Sequence, residues 1–332
     1  MVERFGPVVA LVLLILGAAI VEAALVPADQ RAFLSARNFA NILGQNSYWG
    51  IVAVGMTFVI VLGGIDLSVG SMVALAAGLS VIAMNAAARA GWSPGAAVAA
   101  AAAVCLLGGT ILGLINGLVV ALGRIAPFIA TLATLAIYRS LIYAPARGSE
   151  IRSEVPAFGD LGAATIGLPG LGPGGEPLPI RISVFVLIGL VAAAHLLLAR
   201  TVLGRRIYAV GDNARAARYA GIDLRTTTIV VYTIAGLTCG VSALLNASRL
   251  NSVSTSSLGL FYELDAIAAV VIGGTRLQGG AGRVWNTLVG VLILGVVGNM
   301  LNMLGVETYY QGLVKGLIIL AAVLVQPRKR LD

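Results

Sequence analysis

Charge is scarce in this sequence. Only 11% of its 332 residues are Asp, Glu, Lys or Arg, where a soluble domain carries about 25%. A soluble chain this apolar would expose large sticky patches and aggregate. Histidine is reduced to His195, which reads as a core or lipid-interface residue. Cysteine is reduced to Cys105 and Cys239, both inside apolar runs. These form no disulfide framework and no metal-ligand spacing. A membrane enzyme would want His, Cys or carboxylates clustered near an interface, and no such cluster occurs, so no catalytic residue and no metal ligand is assigned. The GxxxxGK[ST] phosphate loop is also missing, so energy for any work must come from a partner or an ion gradient. The net charge of +8 does not point to nucleic acid. The basic residues stand at the ends of apolar runs without interleaved aromatics, as cytoplasmic loops of membrane proteins do.

What the chain has instead is long apolar runs. Hydrophobic residues make up 59% of it, and the mean hydropathy is +0.97. Several runs reach the ~20 residues that span a bilayer. Ten spans are read, at about 6–26, 48–64, 66–85, 95–122, 126–144, 182–199, 227–246, 263–279, 285–304 and 309–325. The expected fold is an all-α, multi-pass membrane protein, one domain over 1–332 with lipid around it. The first run, Val8 to Val26, is long for a signal peptide. With the N-terminus cytoplasmic, 13 Lys and Arg fall inside, among them Arg328, Lys329 and Arg330, against 7 outside. Both termini are therefore expected inside. Two loops stand out. The external loop 145–181 is rich in Pro and Gly and reads as a partly mobile connector or a docking element. The cytoplasmic loop 200–226 holds six arginines. Its middle, Asn213 to Ala220, predicts a short helix stopped at Gly221.

One apolar run is broken. "FVIVLGGIDLSVGSMVALAA", residues 58–77, carries Asp66, Ser68, Ser71 and a group of glycines. The glycines allow the chain to reverse, and Asp66 and Ser68 can cap the helix that follows. Irregular backbone at membrane depth is tolerated only against protein or a water-filled cavity, so a transport path is expected there, and a plain tight turn is the bland alternative. The chain also resembles itself. "VIVLGGIDLSVG" (59–70) pairs with "AVVIGGTRLQGG" (269–280), and "DLSVGSMVALAAG" from Asp66 pairs with "ELDAIAAVVIGG" from Glu263. The second pairing suits two inverted-topology repeats, about 6–144 and 182–325, with Asp66 and Glu263 at helix starts across the membrane from each other.

Polar residues inside the spans are few, so each is a candidate for the path. They are Asn116, Asn286, Asn299 and Asn302, the last two on one helix face at i, i+3. Amides both donate to and accept from a sugar's hydroxyls, and the bland reading is hydrogen bonding between helices. Asp66, Glu263 and Asp265 are candidate proton-coupling acids, with helix capping as the simpler role. Lys315 is expected to snorkel or to pair with Glu307.

"GMTFVIVLGGIDLSVGSMVALAAG", "APFIATLATLAIYRSL", "YAVGDNARAARYAGI" and "YELDAIAAVVIGGTRLQGGAG" resemble permease subunits of ribose-type ABC sugar importers, within the branched-chain amino acid/ribose permease superfamily. The likeness runs from about Tyr48 to Val325. It implies a ten-span permease in the bacterial inner membrane, paired with a second copy or close paralogue, a cytoplasmic ABC ATPase and a periplasmic sugar-binding protein. No cofactor is expected on the chain itself, since ATP would be bound by the partner. "RAARYAG" is similar to the coupling helix that permeases insert into their ATPase, which implicates Asn213, Arg215, Ala216, Ala217, Arg218 and Gly221. Many relatives have Glu where Arg215 stands. The implied cargo is a monosaccharide such as ribose. A nucleoside or branched-chain amino acid permease, or an ion-coupled transporter, are the alternatives.

Overall fold

The computed structural model describes residues 2–325, and the predicted basic tail Arg328–Arg330 lies outside the described residues. Among the described residues, helix α1 (Val2–Leu25) is followed by α2 (Ala36–Val61), α3 (Val69–Arg89), α4 (Pro94–Gly123) and α5 (Pro127–Ala146). An excursion between α5 and α7 carries β1 (Glu150–Arg152), α6 (Pro156–Ala163), β2 (Thr165–Leu168) and β3 (Leu178–Arg181). Then come α7 (Ile182–Arg200), α8 (Val202–Asp212), α9 (Ala214–Tyr219), α10 (Leu224–Leu250), β4 (Ser252–Ser254), α11 (Tyr262–Ile272), α12 (Val284–Met303) and α13 (Thr308–Val325). Seven helices among the described residues, α1, α3, α4, α5, α7, α10 and α12, are long and apolar enough to cross a membrane. The chain is an all-α membrane protein.

The core is built on α2. Every residue from Ser47 to Val61 is buried, as befits a helix apolar on all sides. Helices α10, α11 and α12 pack around it. The tightest seam lies between α4 and α10. Gly109, Gly113 and Gly117 recur every fourth residue on α4; the first two face Gly236 and Gly240 on α10, and Gly117 faces Ile229 and Tyr232. A Cβ on Gly113 would lie 2.3 Å from the Tyr232 carbonyl, and one on Gly236 would lie 2.2 Å from the Gly109 carbonyl. Small residues at this spacing let helix backbones approach closely in lipid, where dispersion replaces hydrophobic driving force.

Two sequence expectations change. The span predicted over 263–279 is an 11-residue helix, α11, rising ~16 Å against a hydrocarbon core of ~30 Å. It ends in a glycine turn that matches the end of α2. Gly64 N–H donates to the Val59 carbonyl and Gly63 N–H to Ile60, while Thr275 N–H donates to Val270 and Gly274 N–H to Val271. Gly63 (φ 89°) and Gly274 (φ 84°) hold the left-handed positions that such helix ends require. The loop 145–181 is also not a bare connector. β1 pairs antiparallel with β4, and β2 with β3. On α3, Asn85 clasps the excursion, donating to the Arg152 carbonyl (2.8 Å) and accepting from Glu154 N–H (3.0 Å).

Candidate functional site

The break between α2 and α3 is organised around Asp66. Its Oδ1 accepts from the Ser68 N–H (2.9 Å) and the Ser68 hydroxyl (2.7 Å). From α4, Asn116 Nδ2 donates to Ser68 Oγ (2.7 Å) and to Asp66 Oδ2 (3.2 Å). From α5, the Tyr138 hydroxyl lies 3.0 Å from Asn116 Oδ1 and 3.1 Å from the Leu112 carbonyl. Thr131 Oγ accepts from Leu67 N–H (3.1 Å) and donates to the Pro127 carbonyl (2.9 Å). Asp66, Ser68, Asn116 and Tyr138 are all buried. Ser68 makes no side-chain cap on α3, because its hydroxyl is given to Asp66. Of the two caps expected from the sequence, Ser68 makes none, while Asp66 accepts from the Ser68 N–H at the start of α3 and its carboxylate also reaches α4 through Asn116. Ser71 donates back to the Ser68 carbonyl (2.7 Å).

The second acidic helix start lies beside the first. A Cβ on Gly70 would be 2.1 Å from the Gly259 carbonyl and 2.6 Å from Glu263 Oε2, and one on Gly259 would be 2.2 Å from the Gly70 carbonyl. The starts of α3 and α11 therefore touch. Arg139 of α5 closes this corner, donating to the Thr255 (3.1 Å) and Leu258 (2.9 Å) carbonyls. Asp265 forms an ion pair with Lys315, with Nζ 3.0 Å from each carboxylate oxygen. Lys315 thus meets Asp265 and not Glu307. Glu263 and Asp265 serve different neighbours, although they stand two residues apart.

The remaining amides are dispersed. Asn299 exchanges both hydrogen bonds with Asn38 of α2 (3.0 and 2.9 Å), and Asn302 Oδ1 accepts from Gln311 of α13 (2.8 Å). Sharing a helix face did not give them a shared partner. Asn286 is half-buried in the first turn of α12. His195 stacks at a tilt on Trp285, with centroids 6.1 Å apart.

The short helix of loop 200–226 is α9. Asn213 caps it, its Oδ1 accepting from Arg215 N–H (3.0 Å) and Ala216 N–H (3.1 Å). Gly221 (φ 78°) ends it, with Ile222 N–H donating to the Ala217 carbonyl. Ala217 is only 4% exposed within the chain itself, so its small size is explained by packing on the protein's own neighbouring segments. The outward face carries Arg215, Ala216 and Arg218, and beyond them Tyr219, which is 92% exposed. Just after α9, Asp223 caps α10, and the Thr226 hydroxyl with the free N–H groups holds its carboxyl below the usual range.

Sequence reasoning missed Tyr138, Thr131, Arg139 and Tyr219. The first three matter through contacts made across helices, for which the sequence carries no local signal. Tyr219 was findable, as a large aromatic on a helix otherwise made of Ala and Arg. A polar group of Tyr48, Asn246, Arg249 and Tyr262 was missed too. Asn246 donates to the Tyr262 hydroxyl (2.6 Å), and the Arg249 guanidinium lies 5.1 Å from the Tyr48 ring centre. Among the described residues, no three His, Cys, Asp or Glu side chains converge as metal ligands would.

Residues 38–323 match the family described as branched-chain amino acid transport system / permease component. The chain is 43% identical over 299 residues to the ribose import permease protein RbsC of Escherichia coli (strain K12), covering 90% of this chain and 88% of that one. It is 40% identical over 333 residues to RbsC of Bacillus subtilis (strain 168), covering 98% and 94%. The xylose transport system permease protein XylH of Escherichia coli (strain K12) is 34% identical over 346 residues, covering 88% and 85%. No solved structure matches the chain.

Proposed function

This chain belongs to the permease-component family of branched-chain amino acid transport systems, and we propose on that premise that it is the membrane subunit of an ATP-driven importer whose cargo is ribose. The observation that carries the cargo is the identity of 40–43% with ribose import permeases over nearly the whole chain, against 34% with the xylose permease. In this reading the chain sits in the bacterial inner membrane as a pair, with a second copy or a close paralogue. A cytoplasmic ATPase binds the ATP, and a periplasmic binding protein delivers the sugar. The test is uptake of labelled ribose and xylose by cells deleted for this gene and complemented with it. Ribose uptake restored at least about tenfold over xylose is expected. Restored xylose uptake without ribose uptake would overturn the cargo.

Ten membrane segments in two inverted repeats with both termini inside, the short α11 completing its crossing through the irregular chain on either side of it, are part of the same proposal. Their support is the reciprocal contact of Gly70 with Gly259, since two broken helices related by an axis in the membrane plane meet near the midplane. A reporter inserted near Gly172 should read as periplasmic, and one in the loop 200–226 as cytoplasmic. The opposite pattern sinks the arrangement.

The candidate path residues are Asp66, Ser68 and Asn116 at one helix start and Glu263 at the other. For ATPase docking, α9 is the element, and Tyr219 is its anchor because it is the large side chain left exposed. Interface tyrosines that seat in a partner pocket are worth ~2 kcal/mol or more, about thirtyfold in affinity. Tyr219→Ala is therefore expected to cut co-purification of the ATPase and uptake by at least about tenfold, with folded yield unchanged. A variant that retains the ATPase as wild type does would remove Tyr219 from the interface. Ala217→Arg tests something else: it would break the packing of α9 on its own chain.

A further inference from the structure

A groove of about 680 Å³ opens where α4 ends against the turn between α9 and α10, lined by Arg124, Arg218 and Arg225 with Val120, Ala121 and Leu224. Asp223 is the acid in it. Its carboxylate is already engaged by the Arg225 N–H (2.9 Å) and the Thr226 hydroxyl (2.5 Å). The Arg225 charge helps to hold the Asp223 carboxyl down, and the Arg89–Glu154, Arg152–Glu150 and Lys315–Asp265 ion pairs lie elsewhere.

Two of these arginines stand where local physics prefers something else. Arg124 takes the left-handed conformation at the end of α4 (φ 53°), which favours glycine. Arg225 puts a cation in the first turn of α10, the positive end of the helix dipole. Arg147 ends α5 in the same conformation (φ 51°), so it is the meeting of Arg124 with Arg225 in one groove, from two segments distant in sequence, that fits a functional site.

The groove also continues into an apolar surface. On α4, Leu107, Ile111, Leu114 and Leu118 are exposed at spacings of four, three and four, and the same face runs on through Ala121 to Arg124. From Ile111 to Ala121 is ~15 Å along the helix, about half of the ~30 Å hydrocarbon layer, which is one leaflet. A cationic groove at the end of a leaflet-length apolar stripe has the form of an amphiphile with an anionic head.

We propose that this groove binds the phosphate of an anionic phospholipid, with an acyl chain lying along the exposed face of α4. The site does not depend on which solute the protein moves. The ligand group is a phosphodiester, and the apolar stripe assigns it to a lipid rather than to a soluble phosphate.

The test uses the full chain in nanodiscs of phosphatidylglycerol and phosphatidylcholine with matched acyl chains, read by native mass spectrometry of retained lipid. Retention of phosphatidylglycerol over phosphatidylcholine by about fivefold or more is expected. Arg124→Gly together with Arg225→Gln should bring the ratio to parity with thermal stability undiminished, because each change suits the local backbone or dipole better than arginine does. Arg218 is left in place because it also belongs to the outward face of α9. A ratio near one in the unaltered protein, or a ratio that survives the double substitution, overturns the site and leaves the arginines a role in membrane orientation. Inorganic phosphate at millimolar concentration is the second arm. If it displaces the retained lipid, or protects the detergent-purified protein as well as phosphatidylglycerol does, the ligand is a soluble anion and the lipid assignment is wrong.

Discussion

Replacing Gly113 with valine is expected to leave little folded protein in the membrane. The added Cβ alone would lie 2.3 Å from the Tyr232 carbonyl, 2.7 Å from Gly236 Cα and 2.9 Å from Gly236 N. All three neighbours are backbone, so no rotamer change relieves the contact. Overpacking a core ordinarily costs 1–3 kcal/mol. Here α4 and α10 must separate along their seam, and the cost should lie at or above the top of that range, against a total stability of roughly 5–15 kcal/mol for a typical protein. The separation would also draw Asn116 on α4 away from Asp66. Gly189 on α7 supplies the control, since a Cβ there meets nothing within 4 Å. Gly189→Ala should be neutral or stabilising by ~0.5–1 kcal/mol. Both are read as monodisperse yield and thermal midpoint of detergent-extracted protein. A Gly113→Val protein as abundant and as stable as wild type would show that the seam is looser than its backbone distances.

The same glycines show where the sequence was legible. Glycine was weighed as a helix breaker, and at Gly63 and Gly274 that reading holds. On α4 and α10 it is a packing residue inside unbroken helices, and its four-residue spacing is the sequence signal of that role. The long spans were read closely, 95–122 against Pro94–Gly123 and 182–199 against Ile182–Arg200, because uninterrupted apolar runs leave few alternatives. Helix α2 begins twelve residues earlier than the predicted span at 48. Its first turns carry Arg37, Asn38 and Asn41, whose polarity hides a helix from a hydropathy reading. Asp66, Ser68 and Asn116 were legible as candidates because polar groups are rare in apolar runs. Their convergence was not, since it depends on α4 crossing the break at one particular height. Asn299 and Asn302 show the converse: common helical spacing put them on one face, yet α2 takes one and α13 the other.

Asp66 is expected to tolerate asparagine and not alanine. The carboxylate accepts from the Ser68 N–H, the Ser68 hydroxyl and the Asn116 amide, with no exposure to solvent. Alanine leaves these donors without their acceptor in a buried site, at ~1–3 kcal/mol for each group left unpaired. Asp66→Ala should therefore lose most of the folded yield, and uptake with it. Asparagine keeps the shape and one acceptor oxygen. Its new NH₂ would meet the Asn116 NH₂, but Asn116 can turn its amide over and present Oδ1 instead. The Ser68 hydroxyl then donates to that oxygen, and Tyr138 accepts from the turned NH₂ while donating to the Leu112 carbonyl 3.1 Å away. Every group is again paired. Asp66→Asn should thus keep folded yield near wild type and uptake within about threefold. Tyr138→Phe takes the donor from the buried Asn116 Oδ1 and also removes the hydroxyl that allows the rearrangement, so it should cost more in the Asp66→Asn protein than alone, an excess that a double-mutant cycle reads directly. The pair of variants also separates two ways of driving transport. An importer driven by a partner's ATP hydrolysis needs Asp66 as a hydrogen-bond acceptor, whereas an ion-coupled transporter that uses it needs a group that gains and loses a proton. Asp66→Asn protein that folds normally and yet moves no sugar would therefore turn the reading of this site from a structural hub towards proton coupling.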